Sequence, residues 1–194
     1  MNLIPPNTVR IDEPLQYKVV PSSQERLCDV NIMLGDWGLG RFDNTGKFIK
    51  IDSYLKDKFG LDWVPHFWKD YYLAFKEIKR YYKITGNTSS ELTLENVSPS
   101  DWGRTYNYYI TPLCDEIVAH IIPSYSVNTD PIVRKTVTQR SSVFAESPPL
   151  PIITVHELSI GIEYTFQIEF LYFKKQTKTK KIFRYTPGSE WTGS

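Results

Sequence analysis

The sequence predicts an all-β protein, an antiparallel sandwich or barrel that carries one or two short inserted helices. Short segments in which apolar and polar residues alternate recur along the chain, and turn-forming residues separate them. Aromatic side chains, which fit the pleated faces of sheets, make up 14% of the 194 residues. This length fits a single compact domain, so we expect one core and no need for a disulfide or a metal to form it.

The first third of the chain predicts extended segments and one short helix. The alternating segments are residues 15–20, 28–34 and 48–51. Between the last two, residues 35–46 are rich in Gly, Asp and Asn and predict a turn region in which the chain reverses. Asp52 or Ser53 is the predicted cap of a helix over residues 53–59, and Gly60 ends it.

The middle of the chain contains the strongest helix candidate. Residues 66–82 place apolar side chains at spacings of three and four, which is typical of a helix. A rival interpretation makes the second half of this segment a strand. Residues 92–94 and 104–110 alternate as strands do, whereas residues 115–122 fit either a strand or one turn of helix.

The last third predicts a loop followed by a long strand. Residues 123–151 are poor in hydrophobic side chains through most of their length and end in a proline cluster at 147–151, which predicts a rigid surface connection. Residues 160–173 alternate aromatic or aliphatic with polar side chains and predict a long amphipathic strand. After a turn beginning near Lys174, residues 180–186 are expected to return beside it.

Motifs for catalysis, cofactors and metals are not found. The glycines of 35–40 precede no predicted helix and do not form a phosphate loop. Cys28 and Cys114 have no CxxC partner, and with three scattered histidines they form no metal-ligand pattern. We interpret both cysteines as buried free thiols, with a disulfide or a reactive thiol as alternatives. We therefore expect no enzyme activity, no cofactor and no metal.

The composition also predicts no membrane insertion and no signal peptide. No stretch approaches the ~20 apolar residues that a membrane-spanning helix requires. The first residues, MNLIPPNTVR, lack the basic and then apolar order of a secretory signal.

A basic segment near the end of the chain is the first candidate site. Its members are Lys174, Lys175, Lys178, Lys180, Lys181 and Arg184. Basic side chains interleaved with aromatic ones suit single-stranded nucleic acid, and sulfated glycans are a second candidate ligand. The alternative is that lysines protect an exposed strand edge from unwanted pairing.

A cluster of aromatic residues is the second candidate site. Its members are Trp63, Phe67, Trp68, Tyr71 and Tyr72. Large aromatic side chains in this density are typical of subunit interfaces, and packing in the core is the equally weighted alternative.

Four segments resemble the coat proteins of circovirus-like small circular single-stranded DNA viruses. They are residues 48–59, 75–99, 141–151 and 163–175, in the order found in that family and covering about half of the chain. One departure is clear, because that family usually opens with a long Arg-rich arm and this chain opens with a single Arg in its first ten residues.

The resemblance implies a single jelly roll over residues 1–194 and a capsid protein that self-assembles into an icosahedral shell enclosing single-stranded DNA. The implied partners are many copies of the chain itself and the DNA. The implied location is the virion, with the host nucleus or cytoplasm during assembly. The alternative is a carbohydrate-binding or host-attachment β-sandwich that forms no particles. It would stack sugars on exposed tryptophans, for which the candidates are Trp37, Trp63, Trp68, Trp102 and Trp191.

Overall fold

The structure is a computed structural model that describes residues 7–11, 17–18, 26–112, 116–124, 135–139, 152–172 and 176–191. These residues form strands, one short α-helix and one 3-10 turn. The all-β prediction is confirmed, and every described strand pair is antiparallel except β1 with β3. The strands are β1 (Thr8–Arg10), β2 (Tyr17–Lys18), β3 (Leu27–Met33), β4 (Asp36–Phe42), β5 (Phe48–Lys50), β6 (Tyr72–Phe75), β7 (Tyr81–Asn87), β8 (Glu91–Leu94), β9 (Thr105–Thr111), β10 (Glu116–Pro123), β11 (Lys135–Gln139), β12 (Ile152–Ser159), β13 (Tyr164–Tyr172), β14 (Gln176–Tyr185) and β15 (Glu190–Trp191). The helix is α1 (Tyr54–Phe59), and the 3-10 turn is Pro99–Asp101.

The chain divides into two compact units. The described part of the first, which we call the barrel unit, is the continuous stretch 34–112. The second, which we call the sheet unit, combines strands from before and after that stretch. In sequence, the barrel unit therefore lies as one insertion between β3 and β10 of the sheet unit.

The barrel unit is a closed six-stranded barrel in the order β4-β5-β8-β7-β6-β9. Closure gives every strand two neighbours and leaves no sheet edge. Aromatic rings fill its core, one from each of five strands: Phe42, Phe48, Phe75, Tyr82 and Tyr106. Ring centroids of neighbouring pairs in this group lie 5.0 to 6.1 Å apart. Part of the aromatic excess in the composition is thus core packing.

The turn region predicted over residues 35–46 is wrong for residues 36–42, which form β4, and is confirmed at residues 43–46, where the chain reverses into β5. The glycines of β4 mark close approaches instead of a reversal. A Cβ on Gly38 would lie 2.4 Å from the carbonyl oxygen of Asp52, and a Cβ on Gly40 would lie 2.3 Å from two ring carbons of Phe48. Glycine is needed at these positions because the neighbouring chain packs directly against the backbone of β4.

Helix α1 confirms the predicted short helix and its caps. The Ser53 hydroxyl accepts a hydrogen bond from the backbone N–H of Lys56 at 3.0 Å. Gly60 has φ of 69°, and its N–H bonds to the carbonyls of Leu55 and Lys56. Leu55 and Phe59 are buried.

The helix predicted over residues 66–82 is wrong, and the rival interpretation of its second half as a strand is confirmed. His66 and Asp70 have φ of 68° and 70°, which no helix interior accommodates. The chain makes turns over residues 65–70 and then forms β6 and β7. Two buried strands joined by a short loop repeat apolar side chains at spacings that imitate a helix.

The sheet unit contains a three-stranded sheet, β1-β3-β12, a four-stranded sheet, β11-β10-β13-β14, and a two-stranded sheet, β15-β2. Strand β3 confirms the prediction over 28–34, β13 confirms most of 160–173, and β14 confirms the return strand. The pattern of residues 115–122 left strand and helix open, and the described residues 116–122 belong to strand β10. Strand β11 lies within residues 123–151 and corrects the prediction of a continuous loop there, while β12 directly follows the proline cluster.

Several predicted features fall outside the described residues. Of the strand predicted over 15–20, the structure describes β2. The proline cluster at 147–151, Cys114, Lys174 and Lys175 lie outside the described residues. The single jelly roll over residues 1–194 stays a prediction.

Candidate interaction surfaces

The members of the basic segment within the described residues are on β14, at one edge of the four-stranded sheet: Lys178, Lys180, Lys181 and Arg184. Within the described residues, β14 pairs with β13 and with no second strand. In the register, Lys180 lies opposite Glu169, Lys181 opposite Ile168 and Arg184 opposite Thr165. Because side chains alternate along a strand, Lys180 and Arg184 occupy register positions on one face and Lys181 on the other. The structure therefore does not bring the basic residues onto a single face.

The two faces of β14 differ in what they pack against. On one face, the ring of Phe183 stacks on the fully buried ring of Phe166, with centroids 5.1 Å apart and planes 5° apart. Lys181 shares that face and is half-buried. On the other face, Arg184 is exposed and Ile182 is 62% exposed. An exposed apolar residue between two basic register positions makes this edge a candidate contact surface.

The face that carries Arg184 continues across the sheet with polar groups. His120 Nε2 lies 3.4 Å from Glu169 Oε2, and Gln167 Nε2 donates to Glu169 Oε1 at 3.2 Å. In the register Lys180 is paired with Glu169, and Arg184 is an exposed basic residue on this face.

The aromatic cluster predicted as an interface lies mostly inside the barrel unit. Trp63 and Trp68 are each 1% exposed, and Tyr71 is also buried. Phe67 and Tyr72 are half-buried. Of these five residues, Phe67 and Tyr72 therefore have side-chain surface that another chain could contact. Their role in an interface stays a prediction.

The indole N–H of the buried Trp63 is hydrogen-bonded to a buried carboxylate, that of Asp36. Asp36 is 0% exposed, and its Oδ2 accepts a hydrogen bond from Trp63 Nε1 at 2.7 Å. Its Oδ1 accepts from the backbone N–H groups of Trp37 and Leu55 at 2.9 and 3.2 Å. Burial raises the pKa of Asp36 to about 6, and the hydrogen bonds from Trp63, the two backbone groups and Ser53 act in the opposite direction. The Asp36 carboxylate therefore connects β4 to the first turn of α1 through the hydrogen bond from Leu55.

A second buried carboxylate lies in the loop before β9. Asp101 is 0% exposed and accepts hydrogen bonds from the hydroxyls of Tyr82 and Tyr106, the latter at 3.0 Å. Burial and then the bond to Asp101 raise the pKa of both tyrosines, so both remain protonated donors at neutral pH. Arg80 Nη2 lies 3.4 Å from Asp101 Oδ1.

Two arginines meet at the outer side of this loop. Arg80 Nη1 donates to the Ser100 hydroxyl at 3.0 Å, and Arg104 Nε donates to the Ser100 carbonyl at 3.0 Å. The hydroxyls of Ser98 and Ser100 are 2.8 Å apart. Trp102, in the same loop, is 42% exposed. Sequence analysis missed this group because Arg80 and Arg104 are distant in the chain, and the predicted helix would have placed Arg80 elsewhere.

The described residues include a free thiol but no group of metal ligands. Cys28 is a free, half-buried thiol, and burial, followed by the charge of Asp29, raises its pKa. No three His, Cys, Asp or Glu side chains in the described part of the chain lie close enough together to hold a metal ion. Across those same ranges, no helix has the length and apolar character needed to cross a bilayer.

These observations define an all-β protein with a closed aromatic-cored barrel, a sheet edge that carries basic residues, and a pair of arginines at a barrel loop. Comparisons with family models, with curated proteins and with solved structures find no match.

Proposed function

We propose that this chain is a non-enzymatic viral coat protein that self-assembles into an icosahedral shell around single-stranded DNA. One observation carries most weight: the described part of the basic segment is on β14, which has a neighbouring strand on one side only within the described residues and carries the exposed Ile182. A strand edge of this kind offers backbone groups and apolar surface to another copy, and positive charge to a polyanion. The resemblance of four segments to circovirus-like coat proteins supports the same proposal.

In this proposal, residues 1–194 form one jelly-roll domain that carries the barrel unit as an insertion. The two sheets of the sheet unit, β1-β3-β12 and β11-β10-β13-β14, would supply the layers of the sandwich. Subunit contacts would each be weak and would gain strength from the symmetry of a closed shell. The location would be the virion, with the host nucleus or cytoplasm during assembly.

The test is the size of the purified protein in solution. Light scattering and negative-stain electron microscopy at low and high salt, with and without single-stranded DNA, should detect uniform particles of virus dimensions. Species of one to three subunits under every condition would refute the proposal.

A paired-variant experiment tests the role of β14. Lys180→Ala with Arg184→Ala removes two charges from one face of the strand without touching the half-buried Lys181. If both groups contact phosphates, the slope of log K against log salt for single-stranded DNA should fall by about 1.4. Lys58→Ala with Lys69→Ala removes the same charge from exposed positions in the barrel unit and should leave the slope unchanged. Equal slopes for both double variants would assign the β14 residues to edge protection.

A second candidate, glycan binding without assembly, is favoured by one exposed tryptophan ring among the described side chains, which do not include that of Trp191. Trp102 is 42% exposed, whereas Trp63 and Trp68 are buried and offer no face to a sugar. Trp37 is half-buried and stacks on Tyr54, with centroids 4.1 Å apart. Glycan-array binding that Trp102→Ala abolishes, in a protein that forms no particles, would favour this candidate over the coat protein.

A further inference from the structure

We propose that residues 98–104 together with Arg80 form a binding site for a phosphate group. The site lies in the barrel unit and is independent of β14, so it does not rest on the coat-protein proposal. It would bind inorganic phosphate or a phosphate of a nucleic-acid backbone through the same contacts.

The donors of the site already converge on one residue. Arg80 Nη1 and Arg104 Nε each lie 3.0 Å from an oxygen of Ser100, one from the hydroxyl and one from the carbonyl. The Ser98 hydroxyl adds a third polar group, 2.8 Å from the Ser100 hydroxyl. A phosphate at this place could accept from both guanidinium groups and from hydroxyls, and its negative charge would add an attraction that the neutral oxygens of Ser100 do not supply.

The charges around the site leave it positive. The carboxylate next to Arg80 is Asp101, whose oxygens already accept the hydroxyls of Tyr82 and Tyr106. Among the described residues, no carboxylate lies within 4.0 Å of the Arg104 guanidinium. Among the described residues, Arg80 is therefore paired with one carboxylate and Arg104 with none, and the planar guanidinium fork matches the spacing of phosphate oxygens.

The loop is held in place before any ligand binds. The backbone N–H of Ser98 donates to the Tyr82 hydroxyl at 3.2 Å, and that of Asp101 donates to the Ser98 carbonyl at 3.0 Å. The rings of Tyr82 and Tyr106 belong to the aromatic core of the barrel. A loop fixed in this way loses little conformational entropy when it binds a ligand.

The site is also open to solvent. The side chain of Arg80 is 45% exposed, and Ser100 and Arg104 are exposed. The exposed ring of Trp102 on the same loop offers a flat surface on which a base could stack if the phosphate belongs to a nucleic acid.

The test is a titration of the 15N-labelled protein with inorganic phosphate, followed by NMR at the amide signals of Ser98 and Ser100. We expect saturable shifts in the wild type and an affinity at least 10-fold weaker in Arg104→Ala, whose side chain makes one hydrogen bond at the surface. Arg104→Lys keeps the positive charge but lacks the planar pair of guanidinium donors, and it should give an intermediate affinity. Lys69→Ala removes one charge from an exposed position outside the loop and should bind as the wild type does.

The same titration with a short oligothymidylate identifies the source of the phosphate. Tighter binding than inorganic phosphate, with competition between the two, would assign the site to a nucleic-acid backbone, whereas equal affinity would assign it to free phosphate. The β14 double variant should retain phosphate binding, so failure of one proposal leaves the other standing. The absence of saturable shifts, or equal affinities in Arg104→Ala and the wild type, or an equal loss in Lys69→Ala, would overturn the phosphate site.

Discussion

The buried carboxylate of Asp36 makes the stability of the barrel unit depend on pH in an unusual direction. Burial raises its pKa from 3.8 to about 6, so the folded protein binds a proton more tightly than the unfolded chain does. Stability from this group is therefore fully present below pH 3.8 and is lost as the pH rises through 6. Most stabilising carboxylates behave in the opposite way.

The size of the effect follows from the two pKa values. Linkage predicts that this group alone makes the protein more stable at pH 5 than at pH 7 by about 1.3 kcal/mol. Asp36→Asn removes the titration while it retains one oxygen for the backbone N–H groups of Trp37 and Leu55. The amide group would face the indole N–H of Trp63, which adds a pH-independent loss of stability in the variant to the pH-dependent difference that comes from the titration of Asp36.

The assay is urea unfolding of wild type and variant at several pH values between 5 and 7. Subtracting the two curves removes the contribution of every other titrating group, and the remaining difference should change by about 1.3 kcal/mol across the range. Asp70→Asn alters an exposed carboxylate of the same unit and should track the wild type. A wild-type-minus-Asp36→Asn difference that stays constant with pH would refute the reasoning.

Three further substitutions test the packing of the barrel unit through the urea midpoint. Gly40→Ala places a methyl group against the ring of Phe48 and should lower the free energy of unfolding by about 1–3 kcal/mol. Gly86→Ala has open space around the new methyl group and should leave the free energy of unfolding unchanged. Equal effects of the two substitutions would contradict the close approach at Gly40. Tyr106→Phe removes a buried donor to Asp101 and should cost about 1.5–3 kcal/mol; no loss would mean that the carboxylate has another partner. Trp68→Ala should cost about 3–5 kcal/mol, since the ring is buried, and a stable but unassembled variant would instead support the interface prediction.

Local patterns in the sequence were sufficient for the elements whose signals are local. The cap of α1 at Ser53, the glycine that ends it and the alternation of β3 and β13 depend on neighbouring residues. These features were predicted with nearly correct bounds. Periodicity failed between residues 66 and 82, because buried aromatic residues in a turn and two strands have spacings that a helix also produces.

The candidate sites depended on contacts that the sequence does not display. Gly38 and Gly40 read as turn residues because the chain segments packed against them come from later in the sequence. Asp36 and Asp101 had no pattern around them, and their importance comes from donors 27 and 19 residues away, Trp63 and Tyr82. Closure of the barrel was likewise invisible, because it depends on the pairing of β4 with β9.

The position of the barrel unit in the chain has a consequence for biosynthesis. Strands β1 and β3 leave the ribosome first, but their sheet is completed by β12, which pairs Val155 with Val30. The barrel strands are synthesised in between and pair only with one another, so we expect that unit to fold while the chain is still growing. Until β12 emerges, the buried edge of β3, with Val30 and Ile32, stays without its antiparallel neighbour. Nascent chains arrested before residue 152 should therefore contain a folded barrel and an unprotected β3 that chaperones bind.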